Sequence, residues 1–209
     1  MKNTLKISNL AFSREENHIF KDFSIACTSE SVSLFEGKNG IGKSTLLDLI
    51  AGIETPSHGL IELNNSVFQN GQQNIIPTES RKIGYIFQDF GLFAHLTVKE
   101  NICFSRGNVT DQEVSIITSA LGLDEILEKD IDKISGGQQQ RTAIARTLIS
   151  SPIIILADEP FSNLDEEAAR NIQRFLFNWV KQKNQILILV SHNSETLIEE
   201  LKQNTIFLG

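Results

Sequence analysis

Apolar positions recur along this chain with two different periods, and the switch between them divides it. Phe23, Ile25 and Cys27 alternate with polar or small residues, as do Val32 and Leu34, a period of two that turns one face of a β-strand inward. Gly59–Phe68 carries strand-like residues on either side of Asn64-Asn65, a hairpin signal. The polar stretch Gln69–Ser80, with Gly71 and Pro77, reads as an exposed loop, and Ile83–Phe87 as a further strand. Ser44–Ala51 reads as a helix that Gly52 is placed to end. Thr97-x-x-Glu100 and Thr110-x-x-Glu113 are capping boxes that open two more helices, the second closing at Gly122. Ser135–Leu148 is another helix. The uninterrupted apolar runs Ile153–Ala157 and Ile186–Val190 are buried strands, followed by helices from Asp165 to about Gln182 and from Ser194 to about Gln203. Alternating strands and helices predict an α/β fold with a mostly parallel sheet covered on both faces. An N-terminal antiparallel β region precedes it. The helical stretch from about 88 to 150 reads as an inserted α-helical subdomain within a single domain, 1–209, whose core is about 1–87 and 151–209.

Composition narrows the setting. Of 209 residues, 40% are hydrophobic and 22% charged, enough apolar content for a sizeable core. Lys and Arg total 19 against 26 for Asp and Glu, a net charge of −7 that argues against non-specific nucleic-acid or anionic-lipid binding. No apolar run approaches the roughly 20 residues a bilayer-spanning helix needs. Met1-Lys2-Asn3-Thr4-Leu5-Lys6 lacks the apolar stretch of a secretory signal. Cys27 and Cys103 lie outside any metal-ligand spacing and read as reduced thiols. The expectation is a cytoplasmic globular protein.

The chemistry begins after Glu36. Gly37-Lys38-Asn39-Gly40-Ile41-Gly42-Lys43-Ser44 matches G-x-x-x-x-G-K-[ST] between a strand and a helix, the context of a phosphate-binding loop. Gly37, Gly40 and Gly42 let the backbone wrap an anion, with Asn39 and Thr45 in the same loop and its helix. Lys43 is positioned to reach the β/γ-phosphates and Ser44 to ligate Mg²⁺. A dinucleotide site fits less well, because Thr45 stands where a third Gly or Ala is wanted. The chain has no Asn-Lys-x-Asp for guanine recognition. The strand Ile153–Ala157 runs into Asp158 and Glu159: the first is placed to hold Mg²⁺, the second to polarise an attacking water.

With Ile134-Ser135-Gly136-Gly137-Gln138-Gln139-Gln140-Arg141, the chain resembles the ATP-binding cassette (ABC) family over nearly its whole length. Ser135-x-x-Gln138 is also a capping box, but two adjacent glycines cost helix stability unless something must approach closely. The resemblance implies a P-loop ATPase core using ATP and Mg²⁺. It also implies a head-to-tail homodimer or paired cassette in which Ser135, Gly136, Gly137 and Gln138 of one copy face the nucleotide of the other, with Asp165 of Asn163-Leu164-Asp165 at the interface. It assigns Gln88 to Mg²⁺ and water, His192 to the γ-phosphate and Phe12 to adenine stacking, with Phe20 and Phe23 close by in sequence. Taken singly, Gln88 also reads as an exposed strand end, His192 as a structural histidine and Phe12 as core. Phe12 replaces a more frequent Tyr, Lys38 a common Pro, Ile134 the usual Leu and Ala157 a common aliphatic residue. No catalytic group is lost. An active ATPase is therefore expected.

The partners so implied are integral membrane permease subunits, with a solute-binding protein as a further one, the cassette lying peripherally on the cytoplasmic face of the cell membrane. Phe90, Leu92 and Phe93 are candidates for the groove that receives a membrane subunit, with core packing as the other reading. Import is favoured over lipoprotein-release, efflux or cell-division types. A nucleic-acid module is disfavoured by the acidic charge. The short stretch after His192 implies no C-terminal regulatory domain.

Overall fold

The structure is a computed structural model and describes residues 2–105, 109–192 and 194–208; Met1 of the opening hexapeptide lies outside them. Two sheets enclose one helix. β1 (Thr4–Arg14), β2 (Asn17–Thr28), β4 (His58–Leu63), β5 (Ser66–Asn70) and β6 (Gln73–Asn74) form an antiparallel sheet in the order β2-β1-β4-β5-β6. β3 (Ser33–Glu36), β7 (Ile83–Ile86), β8 (Ile154–Asp158), β9 (Ile186–Val190) and β10 (Asn204–Phe207) form a parallel sheet in the order β10-β3-β9-β8-β7. This is the P-loop NTPase architecture expected from the motif pattern. The Asn64-Asn65 turn has both residues at positive φ, 49° and 66°, the two-residue turn that matches strand twist.

Period-two alternation sorts the parallel strands' side chains into two cores. Ile154 and Leu156 of β8, with Ile186, Ile188 and Val190 of β9, meet α1 (Lys43–Ala51) through Leu46, Leu47, Leu49 and Ile50, and α1 meets the antiparallel sheet on its far side. Ile155, Ala157, Leu187 and Leu189 point the other way, onto α4 (Gly136–Ile149) and α5 (Glu166–Lys183). α2 (Val98–Cys103) and α3 (Asp111–Ala120) join that second core, and both open on the expected capping boxes. Each fully buried Ile or Leu contributes about 1.5–3 kcal/mol, so β8 and β9 are the thermodynamic centre of the fold.

Two expectations are corrected. Gln69 is not in an exposed loop but in β5 at 1% exposure, and the segment after it folds back as β6 and a 3₁₀ turn, Thr78–Ser80. The cause is Arg81, also 1% exposed. Its guanidinium donates to Ile76 O (2.8 Å), Gln69 Oε1 (2.9 Å), Asn74 Oδ1 (2.9 Å) and Ile50 O (2.8 Å). The last is an unpaired carbonyl in the final turn of α1, so Arg81 caps the negative end of that helix. Burial pushes the guanidinium below its ordinary pKa. Instead of one helix, Ser194–Gln203 forms two 3₁₀ turns, Ser194–Thr196 and Glu199–Leu201, before β10. Buried Gln173 of α5 takes the backbone groups a helix would use: it donates to Thr196 O (3.1 Å) and accepts from Ile198 N (2.8 Å). β10 then carries Leu208 to the phosphate loop, where Leu208 N donates to Glu36 O (2.8 Å) and Leu208 O lies 2.6 Å from where a Cβ on Gly37 would be.

Arg81→Met should strand four acceptors, Ile50 O at the end of α1 and three on the segment 69–76 that the guanidinium gathers. The expected loss is about 2–4 kcal/mol in urea unfolding, with the midpoint falling at unchanged slope.

Candidate active site

The parallel sheet places its chemistry at one edge. At the C-terminal ends of four adjacent strands stand, in spatial order, the phosphate loop after β3, His192 after β9, Asp158-Glu159 at β8 and Gln88 after β7. The residues come from distant parts of the sequence. A cavity of about 770 Å³ lies over this edge, lined by Asn39, Gly40, Gly42, Lys43, Ser44, Thr45, Gln88, Asp158, Glu159 and His192 among others.

The loop geometry suits an anion. Gly40 and Gly42 hold φ of 80° and 109°, and a Cβ on Gly42 would come within 2.4 Å of Ile19. Gly42 serves as the N-cap of α1 with no side-chain cap, so the N–H groups opening the helix face the cavity without a capping side chain. The Lys43 ammonium donates to Gly37 O (2.8 Å) and Lys38 O (3.2 Å), bracing the loop from inside.

Asp158 is 6% exposed. Burial pushes its carboxyl above the usual range, a hydrogen bond from the Ser44 hydroxyl draws it back, Glu159 raises it and Lys43 lowers it. A buried carboxylate beside a hydroxyl, facing a phosphate cradle, is a donor set for Mg²⁺ that keeps waters and phosphate oxygens as its other ligands. Among the described residues no group of three or more His, Cys, Asp or Glu could hold a metal by itself.

Glu159 departs from strand geometry at φ 49°, a left-handed conformation costly for a residue with a side chain. The turn sets its carboxylate 2.8 Å from His192 Nδ1. Its backbone is held at both ends: Glu159 N donates to Val190 O (3.1 Å), and Glu159 O accepts from Gln140 Nε2 (3.0 Å) and Ser162 Oγ (3.1 Å). Gln140 is fully buried on α4, and its Oε1 also accepts from Asn163 N (2.9 Å). It therefore ties α4, which opens within the signature run Ile134–Arg141 that carries the family resemblance, to Glu159 and to the Asn163-Leu164-Asp165 loop. Arg146 on the same helix donates to Gly91 O (2.7 Å) and Phe90 O (3.1 Å), fastening the segment that follows Gln88. Gln140 carried no sequence signal beyond membership of the signature run. A fully buried amide two residues past a capping box is found only in three dimensions.

The signature residues lie away from this cavity. Ser135 and Gln138 form the capping box of α4, Ser135 Oγ accepting from Gln138 N (3.3 Å) and Gln138 Oε1 from Ser135 N (2.9 Å). A Cβ on Gly137 would meet Asn163 O at 3.0 Å, whereas one on Gly136 would meet nothing within 4 Å. Asp165 caps α5, accepting from Ala168 N (2.9 Å).

Phe12 does not line the cavity. At 7% exposure it sits in the core opposite Phe20, and the little surface it has opens on a separate depression with Ser13, Thr55, Pro56 and Ser57. The expectation that it stacks on a base is corrected: the inward face of the β1–β2 hairpin packs on α1 and keeps the ring below the loop. Arg14, Glu15, Asn17, His18 and Ile19, from the tip of that hairpin, stand at the cavity mouth instead, and sequence reasoning missed them.

Residues 20–162 match the ABC transporter family. The chain belongs to this family. It is similar to the molybdenum import ATP-binding protein ModC of Haemophilus influenzae, 36% identical over 175 residues that cover 83% of this chain and 50% of that one. To the spermidine/putrescine import ATP-binding protein PotA of Clostridium acetobutylicum it is 33% identical over 197 residues, 91% of this chain and 54% of that one. It thus spans about half the length of the curated relatives it matches. Among solved structures, the ATP-binding cassette MJ0796, a dimer in a post-hydrolysis state bound to ADP and Pi, superposes with a TM-score of 0.82 at 26% identity, covering 98% of this chain and 94% of that one. A bacterial Atm1-family ABC exporter with ATP bound shares the fold at a TM-score of 0.86 and 22% identity, covering 100% of this chain and 37% of that one.

Two outcomes follow for this ABC cassette. Because folded Asp158 holds its proton more tightly than the unfolded chain does, its ionised form costs stability as pH rises above the ordinary carboxylate range. Asp158→Asn should raise the melting temperature at neutral pH, and the gap to the parent should close as pH falls towards 4, the ordinary value. Gln140→Leu should leave nucleotide affinity within about twofold while lowering turnover by about tenfold or more, since it frees Glu159 from its placement without touching the cavity.

Proposed function

We propose that the chain is the ATP-hydrolysing subunit of an ABC transporter, converting ATP and water to ADP and phosphate. The observation that carries this reading is the convergence of Lys43, Ser44, Gln88, Asp158, Glu159 and His192 on one cavity from four strand ends. Triphosphate enters the loop, and the Lys43 ammonium exchanges its carbonyl partners for phosphate oxygens. Ser44 and Asp158, with Gln88, would hold Mg²⁺, which supplies neutralisation of charge on the β- and γ-phosphate oxygens. Glu159 orients the attacking water and accepts its proton. His192, paired to that carboxylate, fixes it and faces the γ-phosphate. Catalysis of this kind is positioning and electrostatics, with no covalent intermediate.

The working unit is a head-to-tail dimer, with Ser135, Gly136, Gly137, Gln138 and Asp165 of one copy closing the other's site. Gly136 supports this. Among the described residues nothing lies within 4 Å of where its Cβ would be, which leaves room for an incoming molecule. Residues 88–150 act as the helical subdomain. Half-buried Phe90, Leu92 and Phe93, with the exposed ring of Phe104 4.3 Å from that of Phe93, offer the groove for a membrane subunit. No helix among the described residues is long and apolar enough to cross a membrane, so the permease would be a separate chain and the cassette peripheral to it on the cytoplasmic side. The import proteins ModC and PotA favour uptake of a small solute, with a solute-binding protein as a further partner.

Glu159→Gln tests the reading. Turnover should fall by about 10²–10³ with ATP affinity retained, and the variant should run as an ATP-dependent dimer in size-exclusion chromatography with light scattering. Parent-like turnover would remove Glu159 from its role.

A further inference from the structure

Among the described residues no Phe, Tyr or Trp lines the cavity, although residues of the β1–β2 hairpin tip line it together with the phosphate loop. Phe12, Phe20 and Phe23 pack inward, at 7% exposure, at 6% and half-buried. What the hairpin tip presents in their place is Arg14, two residues beyond Phe12 along β1. Its guanidinium donates to Glu54 Oε1 at 2.8 Å, and its side chain is 58% exposed. That bond engages the guanidinium through an edge nitrogen, Nη2, and more than half of the side chain is left to solvent. Ile19, also at the mouth, rests on the phosphate loop beside Gly42 and supplies an apolar wall. A planar, weakly hydrated cation stacks on a nucleobase as an aromatic ring does.

We propose that Arg14, held edge-on by Glu54, is the surface on which this protein stacks the base of its nucleoside triphosphate, in place of an aromatic side chain. The proposal rests on the nucleotide reading of the cavity and adds the residue that recognises the base. Arg14 is the last residue of β1, paired with Asn17 of β2 and outside both cores, so its substitution leaves the fold intact.

The discriminating probes are MgATP and inorganic tripolyphosphate, which shares the phosphates and lacks the base. By titration calorimetry, Arg14→Ala should weaken ATP on the order of tenfold to a hundredfold and leave tripolyphosphate unchanged. Arg14→Lys keeps the charge without the plane and should behave like the Ala variant. Arg14→Tyr should recover most of the ATP affinity. Glu54→Gln, which loosens the plane but keeps it, should give a smaller, ATP-only loss. Equal losses for ATP and tripolyphosphate would make Arg14 a phosphate contact and overturn the proposal. Unchanged ATP binding by Arg14→Ala, or full affinity in Arg14→Lys, would overturn it as well. Failure of the parent to bind either probe would instead remove the nucleotide reading on which the proposal stands.

Discussion

β8 has no solvent on either face, and that burial organises the molecule. Helical layers cover both sides, so the strand must be apolar along its length and can carry polar chemistry only where it stops. At that point Asp158 remains buried, its carboxylate pressed towards the neutral form and relieved by the Ser44 hydroxyl from the neighbouring loop. The next residue turns into the left-handed region, which takes Glu159 out of the sheet and towards His192. Packing thus delivers two adjacent carboxylates into two different environments. One faces the phosphate loop and the other a histidine.

Neither carboxylate is positioned by the sheet alone. α4 reaches both sides of the edge, with Gln140 on the Glu159 carbonyl and Arg146 on the carbonyls of Phe90 and Gly91. The helix that begins with the signature residues is therefore mechanically continuous with Glu159 and with the segment beyond Gln88. Both ends of α1 are held in a comparable way, by phosphate-loop contacts at Lys43 and by Arg81 at Ile50.

Much of this was legible in the sequence because it rests on local rules. The phosphate loop, the capping boxes at Thr97, Thr110 and Ser135, the Asn64-Asn65 turn and the two fully apolar strands each have a signature a few residues long. What escaped depends on partners distant in the chain. The helix expected after Ser194 lost its backbone groups to Gln173, and the loop expected after Gln69 was drawn inward by Arg81. Phe12 was misread for a related reason. The family resemblance assigned it to stacking, but which residues of β1 face the cavity is decided by packing between the sheets, and there Arg14 lines it while Phe12 is buried.

The seating of Leu208 against Gly37 couples two regions that look unrelated in sequence. β10 is an edge strand, yet the residue that follows it sets its carbonyl against Gly37 at the start of the phosphate loop, closer than a side chain there could tolerate. A fluorophore or fusion attached beyond residue 208 would emerge beside the triphosphate pocket, where it would sense occupancy and also disturb it. Tethers for this molecule are better placed at the Asn64-Asn65 turn, on the far side of the antiparallel sheet's β4–β5 hairpin from that cradle.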